Sequence, residues 1–245
     1  MELVTITNDP KALEGATFVF EAVAEANDVT GAVYSDINKY AADNVIIASC
    51  TSSIGADILA DLTEKPEQLL VAHPFQPAHM LPLVEVVLHD KTSKETVQRT
   101  QDILNKLHRE VVVLNKSIPG FIVNRLAQAL FRESIYMIEE GVTSAADIDK
   151  AVKFAVGMRY ASIGLLEYYD DVGYDLETAI AKNVYPDLCD TKETQNLIKA
   201  GFESGKTGRA AGEGLYDWSK KDVDDFRYRK QAPYFEGVKL WDIPE

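Results

Sequence analysis

His73 follows directly on the apolar run Leu69-Leu-Val-Ala72, and Glu85 stands inside the next such run, Leu83-Val-Glu-Val-Val87. Imidazole is the side chain suited to proton transfer near neutral pH, and a carboxylate partner fixes its tautomer and strengthens it as a base. If these runs are strands, both groups stand where ligands of open α/β sheets gather. The alternative is that His73 merely ends a strand beside Pro74, with Glu85 a buried or edge carboxylate. Ser49-Cys-Thr-Ser-Ser53 follows another apolar run, so its hydroxyls could point into the same crevice. Ser53 reads as a helix N-cap, a position serine favours anyway, whereas Ser52 stays open to either role.

Two other spacings carry less. Gly201-Phe-Glu-Ser-Gly205-Lys206-Thr207 looks like a phosphate-binding loop, which needs four residues between its glycines and a strand before them. Three residues separate Gly201 from Gly205 and the run ahead is helical, so no phosphate site is expected. His73 and His79 lie six apart without a nearby cysteine, and no metal site is expected there.

The elements that must position these groups follow from periodicity. Thr17–Val23, Val45–Ala48, Leu69–Ala72, Leu83–Val87 and Val111–Leu114 read as strands, with helices near 28–42, 53–62 and 93–107 between them. Thr92 or Ser93 caps the third helix, with Glu95 in its first turn. Strands alternating with helices predict a mostly parallel α/β sheet. After Pro119-Gly120 the period changes. Phe121, Ile122, Leu126, Leu130, Phe131, Ile135 and Ile138 follow helical spacing up to Gly141. Ser144-Ala-Ala-Asp147 opens a second helix to about Val156, and more helix is predicted near 174–183 and 191–204. The chain reads as an α/β half, 1–116, and an all-α half, 117–245, with the seam near Asn115–Pro119 and no strand beyond it.

Composition narrows the function class. The 245 residues carry Lys+Arg 25 against Asp+Glu 39, a formal charge of −14, so no nucleic-acid partner is expected. The longest apolar runs, such as Asn44–Cys50, fall far short of the ~20 residues that cross a membrane. Nothing at Met1 resembles a signal peptide, and Cys50 and Cys189 form no disulfide framework, which together point to a cytoplasmic enzyme.

Taken in order, His73-Pro-Phe-Gln-Pro77, Leu83-Val-Glu85-Val86 and Pro119-Gly-Phe-Ile-Val-Asn-Arg125 resemble the L-3-hydroxyacyl-CoA dehydrogenase family. Glu21-Ala-Val-Ala-Glu25, Ser49–Ser53 and the late Gly212-Glu-Gly-Leu-Tyr-Asp-Trp218 stand in the same family order, so the likeness runs over nearly the whole chain. It implies an NAD-dependent oxidoreductase with a partial Rossmann-type (doubly wound) sheet and a helical substrate and dimerisation domain. His73 matches the family's catalytic histidine and Glu85 its paired carboxylate. Ser52 matches the serine that bonds the substrate oxygen near the nicotinamide, and Asn124 the asparagine that positions the substrate carbonyl. Ala22 and Glu25 match cofactor contacts, and Ser52 and Gln76 join that side of the site.

Departures from the pattern accompany the likeness. The family opens with a strand, a Gly-x-Gly-x-x-Gly turn and a helix that hold the pyrophosphate. None is among these 245 residues, which open midway through such a domain, so weak NADH binding by the chain as written is expected. Thr30 replaces a cofactor-side lysine, Cys50 an asparagine, and Gln76 the asparagine of the His-x-x-Asn-Pro signature. Gly157-Met-Arg-Tyr-Ala-Ser-Ile-Gly164 resembles the branch with L-gulonate 3-dehydrogenase, lambda-crystallin and carnitine dehydrogenase. There Arg159 is a candidate partner for a small substrate's carboxylate, the alternative being a surface or interdomain salt bridge. A 3-hydroxyacyl-CoA of the 3-hydroxybutyryl-CoA type is the expected substrate. A small hydroxy-carboxylate is the alternative, and a non-catalytic dimerisation module is a third reading. A homodimer is expected, because the apolar faces near 121–138 exceed what one small helical domain covers.

Overall fold

The computed structural model describes residues 3–240, and the chain divides into two compact units, 1–125 and 126–245. The first holds a five-stranded sheet whose strands lie side by side in chain order: β1 (Phe18–Glu21), β2 (Ile46–Ser49), β3 (Leu69–Pro74), β4 (Val84–Val87) and β5 (Val111–Leu114). β1/β2, β2/β3 and β4/β5 are parallel, whereas β3 and β4 are antiparallel. Parallel neighbours need crossovers, and α1 (Asn27–Tyr40), α2 (Ala56–Ala60) and α3 (Lys94–Lys106) supply them. The antiparallel pair needs none. Residues 75–83 join it without a helix and include a cis Gln76–Pro77 bond.

Near-continuous apolar strands imply cover on both faces, and two separate clusters are buried. One gathers Tyr34, Ile37, Ile47, Leu59, Val71 and Phe121, among others, and the second Ala48, Leu70, Ala72, Val86 and Leu104. Successive strand residues alternate between faces, so His73 continues the Leu69–Val71 face on which Phe121 packs. Ser93 caps α3 by accepting the Thr96 amide at 3.1 Å. α2 is shorter than the helix expected over 53–62: it starts after Gly55, and Ser53 spends its hydroxyl elsewhere.

The second unit is helical, and its first helix, α4 (Val123–Glu139), begins at the end of the first unit. α5 (Ala145–Ala151) is capped by Ser144, which accepts the Asp147 amide. This helix was expected to stop near Val156. Instead a π-helical stretch, Val152–Val156, carries it into α6 (Gly157–Ser162). The Gly157 N–H reaches the Val152 carbonyl, and a Cβ on Gly157 would lie 3.1 Å from that oxygen. Glycine here accommodates the crowded π turn rather than ending the helix.

α7 (Leu165–Val172), α8 (Tyr174–Val184), α9 (Asn196–Glu203) and α10 (Val223–Leu240) follow. α6, α7 and α10 have no counterpart among the helices expected from sequence; α7 is bounded by Gly164 and Gly173, and Pro233 lies inside α10. Beyond residue 116 the described residues form no strand, only single bridges of Glu213 with Gly208 and Asp217. Residues 117–125, assigned by periodicity to the helical half, cluster with the sheet unit, where Phe121 joins the core. No described helix is long and apolar enough to cross a membrane.

Candidate active site

The antiparallel register places His73 directly opposite Glu85, and residues opposed across such a pair share one face. His73 Nδ1 lies 3.1 Å from Glu85 Oε2, with the Glu85 side chain fully buried and the His73 side chain 10% exposed. The other carboxylate oxygen accepts the backbone amides of Ile122 at 2.8 Å and Val123 at 3.0 Å. An ionised carboxylate can only accept, so against a Glu85 in that form the His73 proton belongs on Nδ1 and the lone pair on Nε2. Phe75 and Phe121 approach the imidazole edge to face, at centroid distances of 4.7 and 5.6 Å.

His73 also lines a cavity of about 380 Å³ at the carboxyl ends of β1, β2 and β3. Ala22, Glu25, Ser52 and Gln76 line it too, together with Thr30 and Cys50. Asn124 is not among the lining residues. It stands on the first turn of α4, half-buried, one residue after the Val123 amide that Glu85 holds. Arg159 belongs to the helical unit, where it is exposed and its guanidinium lies 4.2 Å from the Tyr168 ring centre. It makes no ion pair among the described residues.

Glu25 organises the loop after β2. One oxygen accepts the Thr51 hydroxyl and the Ser52 amide, both at 2.8 Å, and the Ser52 hydroxyl at 3.3 Å. The other accepts the Ser53 hydroxyl at 2.5 Å, so Ser53 serves this carboxylate instead of capping α2. The Ser53 bond foremost, then those of Ser52 and Thr51, holds the Glu25 pKa down at about 2.

A second carboxylate, Glu21, is buried at the end of β1. It accepts the Ser49 hydroxyl at 2.6 Å, the Val23 amide at 2.9 Å and the Tyr34 hydroxyl at 3.3 Å. Burial, then the Glu21 charge, pushes the pKa of both Tyr34 and Cys50 upward, which favours the protonated Cys50 thiol. Neither the Glu21 cluster nor the Phe75–Phe121 clasp was singled out from sequence. The signal for Glu21 was there, an acid ending an otherwise apolar strand. The clasp had none, since its rings are brought together only by the fold.

The cavity suits one end of a dinucleotide: it sits at strand carboxyl ends and offers small and hydroxyl-bearing side chains for close approach. Family models agree with this placement. The NAD binding domain of 3-hydroxyacyl-CoA dehydrogenase matches residues 1–118, and that family's C-terminal domain matches 120–218. A curated relative, 5-formyl-3-hydroxy-2-methylpyridine 4-carboxylate 5-dehydrogenase of Mesorhizobium japonicum, is 30% identical over 212 residues, covering 86% of this chain and 69% of the relative. L-carnitine dehydrogenase of Oceanobacillus iheyensis is 35% identical over 162 residues, 66% of this chain, and the chain spans only 53% of that relative's length. Among solved structures, an NAD+-dependent dismutase bearing the same pyridine-carboxylate dehydrogenase name superposes with a TM-score of 0.90. Its identity is 27%, with 98% of this chain and 78% of that chain covered. The dyad, the strand-end cavity and these likenesses lead to one assignment: the chain belongs to the 3-hydroxyacyl-CoA dehydrogenase family, in the branch that includes the L-carnitine dehydrogenases.

Proposed function

We propose that this protein is an NAD-dependent oxidoreductase acting on a small carboxylate at a hydroxyl-bearing carbon. The His73–Glu85 pair beside the cavity carries the reading. His73 Nε2 takes the substrate hydroxyl proton, and Glu85 stabilises the imidazolium that results. In the reverse direction His73 returns that proton to the forming alkoxide. Ser52 and Asn124 aim the substrate oxygen, so the reacting carbon is held rather than found by diffusion. Ala22, Glu25, Ser52 and Gln76 would hold the nicotinamide end of NAD, which supplies hydride acceptance when bound.

The substrate proposal departs from the acyl-CoA expectation and takes up its alternative. The pyridine-carboxylate dehydrogenase superposes at a TM-score of 0.90, against 0.69 for solved 3-hydroxybutyryl-CoA dehydrogenases that also cover most of the chain, and carnitine dehydrogenase stands among the curated relatives. Arg159 has the chemistry of a carboxylate partner: it is exposed, makes no ion pair among the described residues, and has its guanidinium docked on Tyr168. A panel of small hydroxy-carboxylates and 3-hydroxybutyryl-CoA, followed by NADH absorbance, tests the proposal. Turnover of a small carboxylate by the chain joined to an N-terminal segment that carries the Gly-x-Gly-x-x-Gly turn, lost by at least ~10² in His73→Ala, is the expected result. A loss below tenfold removes His73 from the mechanism. Preference for the CoA thioester restores the acyl-CoA reading, and no turnover of either favours a structural module.

A homodimer built through the helical unit belongs to the same proposal. Among the described residues of that unit Ile135 and Ile148 are buried, while Leu130, Phe154, Met158, Leu166 and Phe202 are all more than half exposed. A second copy of the same surface is the simplest cover for so much apolar area.

A further inference from the structure

Phe121 combines two features that a simple core residue does not need. It is 3% exposed, and its ring stands edge to face with His73 at 5.6 Å, as the ring of Phe75 does at 4.7 Å. Its backbone is left-handed, φ +48°, immediately after Gly120 at φ +78°. Glycine adopts that region freely, but in any other residue the Cβ crowds the following carbonyl there. Strain of this kind persists where the surroundings enforce it, and it concentrates at working sites.

The strained corner has two consequences on the page. It sends the next two amides, of Ile122 and Val123, onto Glu85 Oε1, so the carboxylate is held from one side while its other oxygen meets His73. It also delivers the phenyl ring against the imidazole itself. An αL glycine at position 121 would permit the first effect and abolish the second. The sequence keeps a phenylalanine there.

We propose that Phe121 is a positioning residue for His73: its ring, with that of Phe75, confines the imidazole to the plane in which Nδ1 meets Glu85 and Nε2 faces the cavity. The catalytic consequence rests on reading His73 as the base, whereas the confinement does not. Nitrogen-15 NMR of the histidine side chains separates the two, with the His73 signals assigned by their loss in His73→Ala. In the wild type, Nδ1 should appear protonated and the His73 ring protons displaced by the neighbouring aromatic currents.

Phe121→Leu keeps an apolar side chain and removes the ring; Phe121→Gly removes the ring and relieves the backbone. Both are expected to mix the two His73 tautomers and to lower kcat by ~10-fold with KM little changed, as for a misaligned base. In both, the pH–rate profile should shift together with the His73 titration. Wild-type His73 nitrogen shifts and kcat in Phe121→Leu would overturn the proposal, as would a Phe121→Gly protein with unaltered kcat. Should neither variant fold, unperturbed His73 ring-proton shifts in the wild type would overturn it and displaced ones support it. Mixed tautomers in a protein whose wild type turns over no substrate would uphold the positioning and dismiss the catalytic reading of His73.

Discussion

Residue chemistry here depends on carboxylates whose every oxygen is used. Glu85 accepts three bonds while fully buried, and Glu25 accepts four while largely exposed. The two should respond differently to change. Glu25 has a folded pKa of about 2 against an ordinary value of 4.5, so its bonds contribute stability above pH ~4.5 and lose it as pH falls through 2. Glu25→Gln should therefore melt below the wild type near neutrality, with the gap closing as the pH is lowered from about 4.5 to 2. The gap stays small, because solvent screens an exposed carboxylate. Thermal unfolding followed by circular dichroism across that range measures it, and a gap independent of pH would mean that the Thr51–Ser53 loop does not depend on this charge. His73 and Glu85 were legible as a pair because each sits in a recognisable strand. Glu25 entered only through the family resemblance, and its bonds to Ser52 and Ser53 were not legible, since no local pattern joins residues 27 and 28 positions apart.

Elements show the same division between local and distant causes. The Ser93 cap is written in four consecutive residues, and it forms as written. Ser93→Ala should cost about 1 kcal/mol in urea unfolding, the ordinary worth of an N-cap. A change under ~0.3 kcal/mol would show that packing alone fixes the start of α3. Gly157 is the opposite case. Replacing a helical glycine by alanine normally gains up to ~1 kcal/mol, but here the new methyl would meet the Val152 carbonyl at 3.1 Å. Gly157→Ala is expected to lower stability, and a rise in melting temperature would show that the π turn converts to ordinary helix at no cost. Glycine in a sequence signals either a stop or a close approach. Only the neighbouring backbone tells which.

Taken whole, the molecule carries two units with unlike packing. The sheet unit buries apolar side chains on both faces, whereas the helical unit leaves Leu126, Leu130 and Phe131 along α4 exposed. Sedimentation equilibrium at micromolar concentration should give twice the 27.2 kDa chain mass. Leu130→Glu should shift that mass towards the monomer, because a charge on the covered face loses its hydration in the dimer. A monomeric wild type would leave this apolar surface to a different partner. The helical period along α4 and its excess of apolar positions were plain, though the period was read from residue 121 and the helix begins at Val123, with Phe121 turned into the sheet core instead. What covers them is a property of surfaces and was not.

The order of strands and helices in the first unit, the caps at Ser93 and Ser144 and the change of period after Gly120 were all set by neighbours within a few residues, which is the range over which backbone propensity and side-chain period act. The sequence also marked His73, Glu85 and Ser52, because strand ends are where such groups can meet a ligand. Tertiary structure decided the rest. The antiparallel turn of β4 against β3 set His73 opposite Glu85, a register that no periodicity specifies. The left-handed corner at Gly120–Phe121 sent two amides onto Glu85 and a ring against His73. These contacts span twelve to nearly fifty residues of chain, and at that range only the packed fold selects partners from the many that local preference would equally allow.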